Sequence, residues 1–194
     1  LLLPTPQRLQ CLPGRNLKSM NLSELNRFLA GRTSVRQYLP EPVADTTIDE
    51  ILRCTRLAPS AGNLESWDVI VITDEGTREL LADAAFQQEH VSAAPVIFVV
   101  CANYVRSMSR YSERGILYAM QDATIAGTYL MMAIHASGLG SCWTGAFDDE
   151  MVREILDIPG HIRPVTLLTA GYTREIVPSP PRMETGEHVH YGYW

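Results

Sequence analysis

Pro95-Val96-Ile97-Phe98-Val99-Val100 is the stretch that decides the fold, because five apolar residues follow the proline with no polar residue between them. A strand with one face in solvent would alternate apolar and polar residues. An unbroken apolar run is typical of a strand that is covered on both faces. We therefore predict a central strand here, with helices on both sides of its sheet.

Helices are predicted on both sides of this strand. Residues 75–87 have the pattern of an amphipathic helix, with Leu80 and Leu81 among the side chains that face inward. Residues 113–137 are apolar on most sides, so this long helix must be buried nearly all round, in a large core or against another subunit. The order of elements along the chain, α, α, β, α, β, α, β, α, β, indicates an α+β or α/β sandwich. The other predicted elements are helices that begin at Ser23 (as the cap), Thr46 and Asp148, and strands at 67–72, 142–143 and 165–170.

The composition narrows the class of protein. The chain has 194 residues, of which 46% are hydrophobic and 20% are charged, so it suits one globular domain rather than a disordered chain. Lys and Arg number 16 against 22 Asp and Glu, which gives a net charge of −6. This acidic balance argues against a dedicated nucleic-acid-binding protein.

Cysteine spacing and hydropathy bear on metal binding and location. The four cysteines are scattered without zinc-ligand spacing, so we expect reduced thiols, no metal and a cytoplasmic protein. The uncharged stretch between Asp122 and Asp148 is broken by Gly138-Leu139-Gly140. We interpret this stretch as a buried helix that runs into a strand, and expect no membrane association.

The N-terminal residues differ from the rest of the chain. Residues 1–19 contain Pro4, Pro6 and Pro13 and have no clear period. We predict that they are a non-native or disordered extension, and that residues 20–194 form the functional domain.

A compact set of hydrogen-bond donors lies at Arg32-Thr33-Ser34-Val35-Arg36, just past the first predicted helix. A phosphate could accept forked bonds from the two guanidiniums and single bonds from the two hydroxyls. A solvated polar turn with surface arginines fits the same residues, and both interpretations stay open on composition.

Two further segments are suited to contacting a ligand. Residues 59–67, Pro-Ser-Ala-Gly-Asn-Leu-Glu-Ser-Trp, predict a turn with exposed amides, and Asn63 offers a donor and an acceptor together. The glycines of residues 138–145 let the backbone approach a ligand, although the segment lacks the lysine of a phosphate loop and does not match G-x-G-x-x-G. On spacing alone, residues 59–67 also fit an ordinary loop.

Taken together, these segments resemble the nitroreductase family of flavin mononucleotide (FMN) enzymes, from about Asn21 to the C-terminus. Five motifs occur in the family's order and spacing, and together they are far more specific than any one of them. They are R-x-S-x-R-x-[YF] at 32–38, P-S-x-x-N-x-Q-P-W at 59–67, Q-x-x-V-x-x-A-P at 88–95, G-L-G-x-C-W-x-G at 138–145, and the tail of shorter members at 181–194.

The resemblance implies an α+β nitroreductase-like fold, in which helices flank a central mixed β-sheet and two chains form an intertwined homodimer. It also implies two flavins at the subunit boundary. The implied cofactor contacts are Arg32, Thr33, Ser34, Arg36 and Arg182 at the phosphate, Gln88 at the pyrimidine edge, the backbone of Thr144 and Gly145 near N5, and Pro59, Ser60, Ala61 and Asn63 in the turn, where Ser60 and Asn63 reach the flavin of the other subunit.

The resemblance further implies an FMN-dependent oxidoreductase that transfers electrons from NAD(P)H to a small organic acceptor by ping-pong hydride transfer. Nitroaromatics, quinones and enones are the implied acceptors, and no catalytic side chain is expected because the flavin carries the chemistry. Two alternatives stay open: a flavin-binding or storage protein without turnover, and a flavin-consuming or dehalogenating member of the same fold.

Two local features depart from the family pattern. Glu65 and Ser66 stand where the family usually has Gln-Pro, which places a carboxylate beside the implied flavin pocket. Residues 105–114 are short and polar, whereas larger members carry a helical lid near this point. An open site, or a different electron donor, is the expected consequence.

Overall fold

A computed structural model describes residues 20–194, and the predicted extension at residues 1–19 lies outside the described residues. Along the sequence, the described residues divide between Gly31 and Arg32 into two units. The assignment of residues 20–194 to one functional domain stays a prediction.

Helix α1, Leu22–Gly31, is the regular element described in the first unit. Asn21 Oδ1 accepts a hydrogen bond from the Glu24 amide at 2.9 Å, and Glu24 Oε2 accepts one from the Asn21 amide at 2.8 Å. This reciprocal pair is a capping box. The predicted cap at Ser23 is therefore wrong by two residues.

The second unit is built on a β-sheet whose four described strands are β1 (Trp67–Ile72), β2 (Val96–Asn103), β3 (Gly140–Thr144) and β4 (Ile162–Gly171). Their order across the sheet is β1-β2-β4-β3, and each neighbouring pair is antiparallel. All eight residues of β2 are buried, which confirms the central strand predicted from the apolar run.

Each face of β2 packs into its own core. Val96, Phe98 and Val100 belong to one apolar cluster, and Ile97 and Val99 belong to the other. The first cluster includes residues of the long helix, and the second includes residues of the helices that precede β2 and follow β3. Alternate side chains of one strand thus fill two cores, as a strand covered on both faces requires.

Six helices of the second unit flank this sheet. The long helix occurs as predicted, but two short helices before and after β2 were not predicted, and the second of them lies in the short polar segment noted at residues 105–114. Leu80 is 53% exposed, so its predicted inward orientation is wrong. The helices are α2 (Asp45–Thr55), α3 (Glu75–Ala84), α4 (Glu89–Ala93), α5 (Tyr104–Tyr111), α6 (Arg114–Ala136) and α7 (Asp149–Ile155).

This arrangement confirms the α+β class. Among the described residues, no helix combines the length and apolarity needed to cross a bilayer.

Asp148 caps the start of α7, because its Oδ1 accepts hydrogen bonds from the amides of Glu150 and Met151, both at 3.0 Å.

Candidate cofactor site

The Arg32–Arg36 segment lies along the outer edge of β3. The Val35 amide donates to the Ser141 carbonyl at 2.9 Å, and Ser34 forms a parallel β-bridge with Ser141. A Cβ atom at Gly140 would lie 2.8 Å from Val35 Cγ1. Glycine at position 140 therefore lets the segment approach the strand closely enough to pair with it.

The guanidiniums of Arg32 and Arg36 act on the same buried thiol of β3. Burial raises the pKa of Cys142, while the positive charges of Arg36 and Arg32 lower it. Neither guanidinium forms an ion pair with a carboxylate of the described residues. Both arginines therefore belong to the segment that pairs with β3, and neither has a carboxylate partner among the described residues.

The far end of the segment is tied to β4 and to the chain that follows it. Tyr38 Oη lies 2.7 Å from both the Val35 carbonyl and Thr169 Oγ1, and burial raises the pKa of Tyr38 well above its ordinary value. Glu175 Oε2 accepts hydrogen bonds from the amides of Arg36 and Gln37, both at 3.1 Å. The backbone that carries Arg36 is therefore fixed from two sides.

Residues 59–67 form the predicted turn, with a single turn of 3-10 helix at Ala61–Asn63. Gly62 and Asn63 both have positive φ angles, +59° and +56°, which glycine and asparagine tolerate best. Asn63 is exposed, and Ser60 Oγ accepts a hydrogen bond from the Glu65 amide at 2.9 Å. The turn thus leaves the Asn63 side chain free to contact a ligand or another chain.

Asp122 holds this turn from below, and the sequence analysis did not identify it. Its Oδ1 accepts from the Ala61 amide at 2.8 Å and its Oδ2 accepts from the Ser66 amide at 3.3 Å, while the residue is 1% exposed. The one carboxylate in an otherwise apolar stretch of α6 is the sequence signal that could have identified it, because a buried carboxylate requires hydrogen-bond donors.

Glu65, which departs from the family pattern, is exposed, and its backbone is clamped by Arg106. The Arg106 guanidinium donates to the carbonyls of Glu65 and Trp67 and forms an ion pair with Asp68 at 3.0 Å. The Arg106 guanidinium therefore binds backbone carbonyls and Asp68, not the Glu65 carboxylate. The Glu65 side chain forms no ion pair within the described residues.

Gln88, Thr144 and Gly145 lie around the end of β3. Gln88 Nε2 donates to the carbonyls of Ala85 and Ala146, at 2.8 and 2.9 Å, so this side chain ties the loop after β3 to the segment before α4. The Thr144 carbonyl accepts from Thr166 Oγ1 at 3.1 Å, whereas Gly145 is exposed. Gly145 is therefore the more accessible of the two backbone positions assigned to the flavin ring.

A histidine that was not predicted supports Thr144. His90 Nε2 lies 2.8 Å from Thr144 Oγ1. Burial lowers the pKa of His90, and the positive charge of Arg36 lowers it further. His90 therefore supports the Thr144 side chain at the end of β3, and it lies near enough to Arg36 for that charge to act on its pKa.

Arg182 was expected at the phosphate together with Arg32 and Arg36. It is exposed on the segment after β4, and within residues 20–194 no ion pair joins it to a carboxylate. The C-terminal aromatic residues are also exposed, including Tyr191 at 93%. Convergence of Arg182 with Arg32 and Arg36 stays a prediction.

The family model described as the nitroreductase family matches residues 29–92 and 84–172, which is more than half of the chain. The chain belongs to the nitroreductase family. This membership confirms the resemblance that the five motifs carried.

Named relatives of this nitroreductase-family chain agree with the assignment. It is 33% identical over 172 residues to a protein named NADH dehydrogenase from Thermus thermophilus, covering 74% of this chain and 84% of that protein. It is 26% identical to a protein named FMN reductase [NAD(P)H] from Bacillus subtilis, covering 84% of this chain and 71% of that protein.

A solved structure shares the fold. NfrA1 from B. megaterium superimposes with a TM-score of 0.83 at 24% identity, covering 88% of this chain and 74% of that chain. The predicted nitroreductase-like fold is therefore confirmed, but the four described strands pair antiparallel, and the mixed sheet and the intertwined homodimer stay predictions. Within residues 20–194, no group of three or more His, Cys, Asp and Glu side chains is placed to hold a metal ion.

Proposed function

We propose that this nitroreductase-family chain binds FMN at the edge of β3 and uses it to oxidise NAD(P)H. The pair of unpaired guanidiniums, Arg32 and Arg36, is the observation that carries the proposal. Family membership and the name of the B. subtilis relative support FMN as the cofactor and NAD(P)H as the electron donor.

The donor set fits the phosphate end of FMN. A phosphate monoester carries close to two negative charges, and each arginine can offer it a forked pair of hydrogen bonds. The hydroxyls of Thr33 and Ser34 supply further donors in the same segment. Because the backbone pairing of Val35 with β3 fixes this segment before the cofactor binds, little conformational entropy is lost on binding.

The polar groups around the turn and the end of β3 are assigned to the ring. The exposed Gly145 backbone would lie at the N5 side, Gln88 is assigned to the pyrimidine edge, and the Ser60–Asn63 turn would contact the flavin of the other subunit. When bound, FMN would supply the redox chemistry for hydride transfer from NAD(P)H to a small acceptor such as a nitroaromatic, quinone or enone, and we expect ping-pong kinetics. The protein contributes position and electrostatics, and no side-chain acid is assigned.

A homodimer completes the proposed site. Ile116 and Leu117 of α6 are 44% and 51% exposed, and the aromatic tail is exposed as well. Large exposed apolar surfaces mark protein interfaces, and the family resemblance assigns α6 to one. In this assembly the tail packs on the second chain, and Arg182 reaches the phosphate site.

The visible spectrum of the purified protein is the first test, because bound flavin absorbs blue light. The second is NAD(P)H oxidation with menadione or a nitrofuran as acceptor. We expect a yellow protein that turns over with at least one nucleotide donor. A yellow protein without turnover under any donor would favour flavin storage, and a colourless protein that does not bind added FMN would contradict the proposal.

The Arg36→Ala variant tests the residue assignment. Loss of one charge-assisted contact to phosphate should weaken FMN binding about tenfold or more, since such bonds contribute about 1.5–3 kcal/mol. FMN dissociation constants can be measured by the fluorescence change on binding. Arg53→Ala, an exposed arginine of α2, is the matched control and should bind FMN like the unmodified protein.

A further inference from the structure

Two arginines and two tyrosines form a cluster where α5 meets α6. The Arg110 Cζ lies 5.7 Å from the centre of the Tyr111 ring, and the Arg114 Cζ lies 5.5 Å from the centre of the Tyr118 ring. The two rings meet edge to face, with centres 4.9 Å apart and planes at 87°. Arg114 Nε also donates to Tyr118 Oη at 2.7 Å. These contacts hold both guanidiniums in place and leave other N–H groups of each free.

The two guanidiniums of this cluster lack acidic partners. Arg106, one turn earlier, is paired with Asp68, but neither Arg110 nor Arg114 forms an ion pair with any carboxylate of residues 20–194. Glu113 lies between them in sequence and pairs with neither. Both arginines are exposed, in a chain whose net charge is −6. An anion in solution could therefore reach both charges.

The cluster borders the Ser60–Asn63 turn. A Cβ atom at Gly62 would lie 3.0 Å from Arg110 Nη1 and would collide with Tyr111 Oη. The Gly62 carbonyl accepts a long hydrogen bond from Arg110 Nη1 at 3.4 Å. Since the proposed function assigns this turn to the flavin of the other subunit, Arg110 lies beside residues that would face that flavin, and Arg114 belongs to the same cluster through Tyr118.

We propose that Arg110 and Arg114 bind phosphate groups of the nicotinamide dinucleotide that reduces the enzyme. A dinucleotide that lays its nicotinamide on the flavin must place its charged groups beyond the ring, where neighbouring guanidiniums can bind them by forked hydrogen bonds. The shared ligand chemistry is phosphate, supplied either by the pyrophosphate of both dinucleotides or by the 2′-phosphate of NADPH. This inference rests on the proposed function.

The FMN-loaded double variant Arg110→Gln with Arg114→Gln tests the proposal with three donors and menadione as the acceptor. The donors are NADPH, NADH and 1-benzyl-1,4-dihydronicotinamide, which carries no phosphate. We expect KM for a dinucleotide to rise about tenfold or more, with kcat nearly unchanged and no effect on the benzyl donor. A rise in KM for both dinucleotides would identify the pyrophosphate as the group that the two arginines bind. A rise in KM for NADPH alone would identify the 2′-phosphate.

Binding measurements give a readout that does not depend on turnover. Inorganic pyrophosphate and 2′,5′-ADP are titrated into the unmodified dimer by calorimetry, and the same compounds are tested as competitors of the dinucleotide. At least one of them should bind competitively, more weakly at high salt, and about tenfold more weakly to the double variant. Arg53→Gln is the matched control, and it should leave the dissociation constants and the inhibition constants of the two compounds unchanged.

Three results would overturn the inference. The double variant could show an unchanged KM for both dinucleotides, or a rise in KM for the benzyl donor as large as that for the dinucleotides. In the unmodified protein, inorganic pyrophosphate and 2′,5′-ADP could both fail to compete with the dinucleotide. The competition experiment needs no variant, so the inference can still be tested if the double variant does not fold. A yellow enzyme that oxidises every donor normally in the double variant would overturn this inference alone. A protein that is never reduced by the benzyl donor would overturn the proposed function with it.

Discussion

Asp122 is the residue on which the geometry of the Ser60–Ser66 turn depends. Its two carboxylate oxygens accept the amides of Ala61 and Ser66, and the side chain is almost fully buried in α6. A buried carboxylate that accepts backbone amides can fix a turn without a neighbouring cation. Asp122 therefore positions the residues assigned to the flavin without being assigned a contact of its own.

Asp122→Ala should destabilise the protein by about 1–3 kcal/mol or more, because the buried amide of Ser66 and the partly buried amide of Ala61 would lose their acceptor. Asp122→Asn keeps one acceptor oxygen and should lose less. Urea unfolding of both variants measures the difference, with Asp49→Ala, an exposed carboxylate of α2, as the control. Equal unfolding free energies for Asp122→Ala and Asp49→Ala would contradict the positioning role.

His90 makes the folding stability depend on pH. Burial and the charge of Arg36 lower its folded pKa below the ordinary value of 6.5, so the unfolded chain binds the proton more readily. The stability contributed by neutral His90 is present above the unfolded pKa and is lost as the pH falls through the folded pKa. We expect the unfolding free energy to fall on acidification below about pH 6.5.

The His90→Gln variant isolates this dependence, since glutamine can still hydrogen-bond to Thr144 but does not titrate. Unfolding free energies of both proteins at about pH 8 and about pH 5.5 give the comparison. The variant should lose less stability than the unmodified protein over this interval. The same loss in both proteins would show that other groups cause the dependence.

At the scale of elements, β3 is packed tightly between two neighbours. A Cβ at Gly140 would lie 2.8–2.9 Å from the side-chain carbons of Val35, and a Cβ at Gly127 of α6 would lie 2.8 Å from the Trp143 ring. Glycines thus let both the arginine segment and the long helix approach this strand. The geometry of the proposed phosphate site follows from this packing.

Gly140→Ala should therefore destabilise the fold by about 1–3 kcal/mol through overpacking and should also weaken FMN binding, because Val35 moves together with its neighbour Arg36. Gly160→Ala is the matched control, since a Cβ there has no heavy atom of a non-neighbouring residue within 4 Å. Thermal unfolding and FMN titration measure the two effects. If the Gly140→Ala protein is destabilised but binds FMN with full affinity, the packing of Gly140 against Val35 does not determine the geometry of the phosphate site.

The elements that could be predicted from sequence are those with a strong apolar pattern. The unbroken run of β2 and the long helix α6 carry such patterns over many residues, so local composition alone locates them. Helices α4 and α5 have five and eight residues and lie too close to polar segments for a pattern to emerge. Asn21 and Asn103 are the sequence signals for the starts of α1 and α5, because each asparagine side chain accepts a hydrogen bond from the amide three residues later.

The site could be predicted only as a set of segments. Motif order located the arginine segment and the turn, because short runs of polar residues and glycine carry those features. The supporting roles of Asp122 and His90 depend on contacts between residues 54 or more positions apart, which no local pattern encodes. The position of Arg182 relative to the phosphate depends on the assembly and stays a prediction.

At the scale of the whole molecule, α6 packs on the face of the sheet opposite α3, and both α6 and the tail expose apolar residues. Ile116→Arg combined with Leu117→Arg should weaken the proposed dimer about 100-fold or more, because buried charges without partners oppose association. Sedimentation velocity over a concentration series measures the effect. Leu80→Arg, an exposed leucine of α3, is the control, and unchanged dimerisation in the α6 variant would contradict the interface.

Arg182→Ala tests whether the tail reaches the phosphate in that dimer. We expect a folded protein whose FMN affinity is about tenfold lower, because one charge-assisted contact is removed. Flavin content after gel filtration, compared with that of Arg53→Ala, gives the answer. Unchanged flavin retention would refute the assignment of Arg182 and leave the arginine segment as the whole phosphate site.

β3 is an outer strand of the sheet, and the Ser34–Ser141 bridge covers part of its free edge. Uncovered strand edges recruit further strands and lead to aggregation. We therefore expect the segment that carries the proposed phosphate site also to hinder edge-to-edge pairing of this sheet with other chains. Loss of order there should promote aggregation as well as weaken cofactor binding.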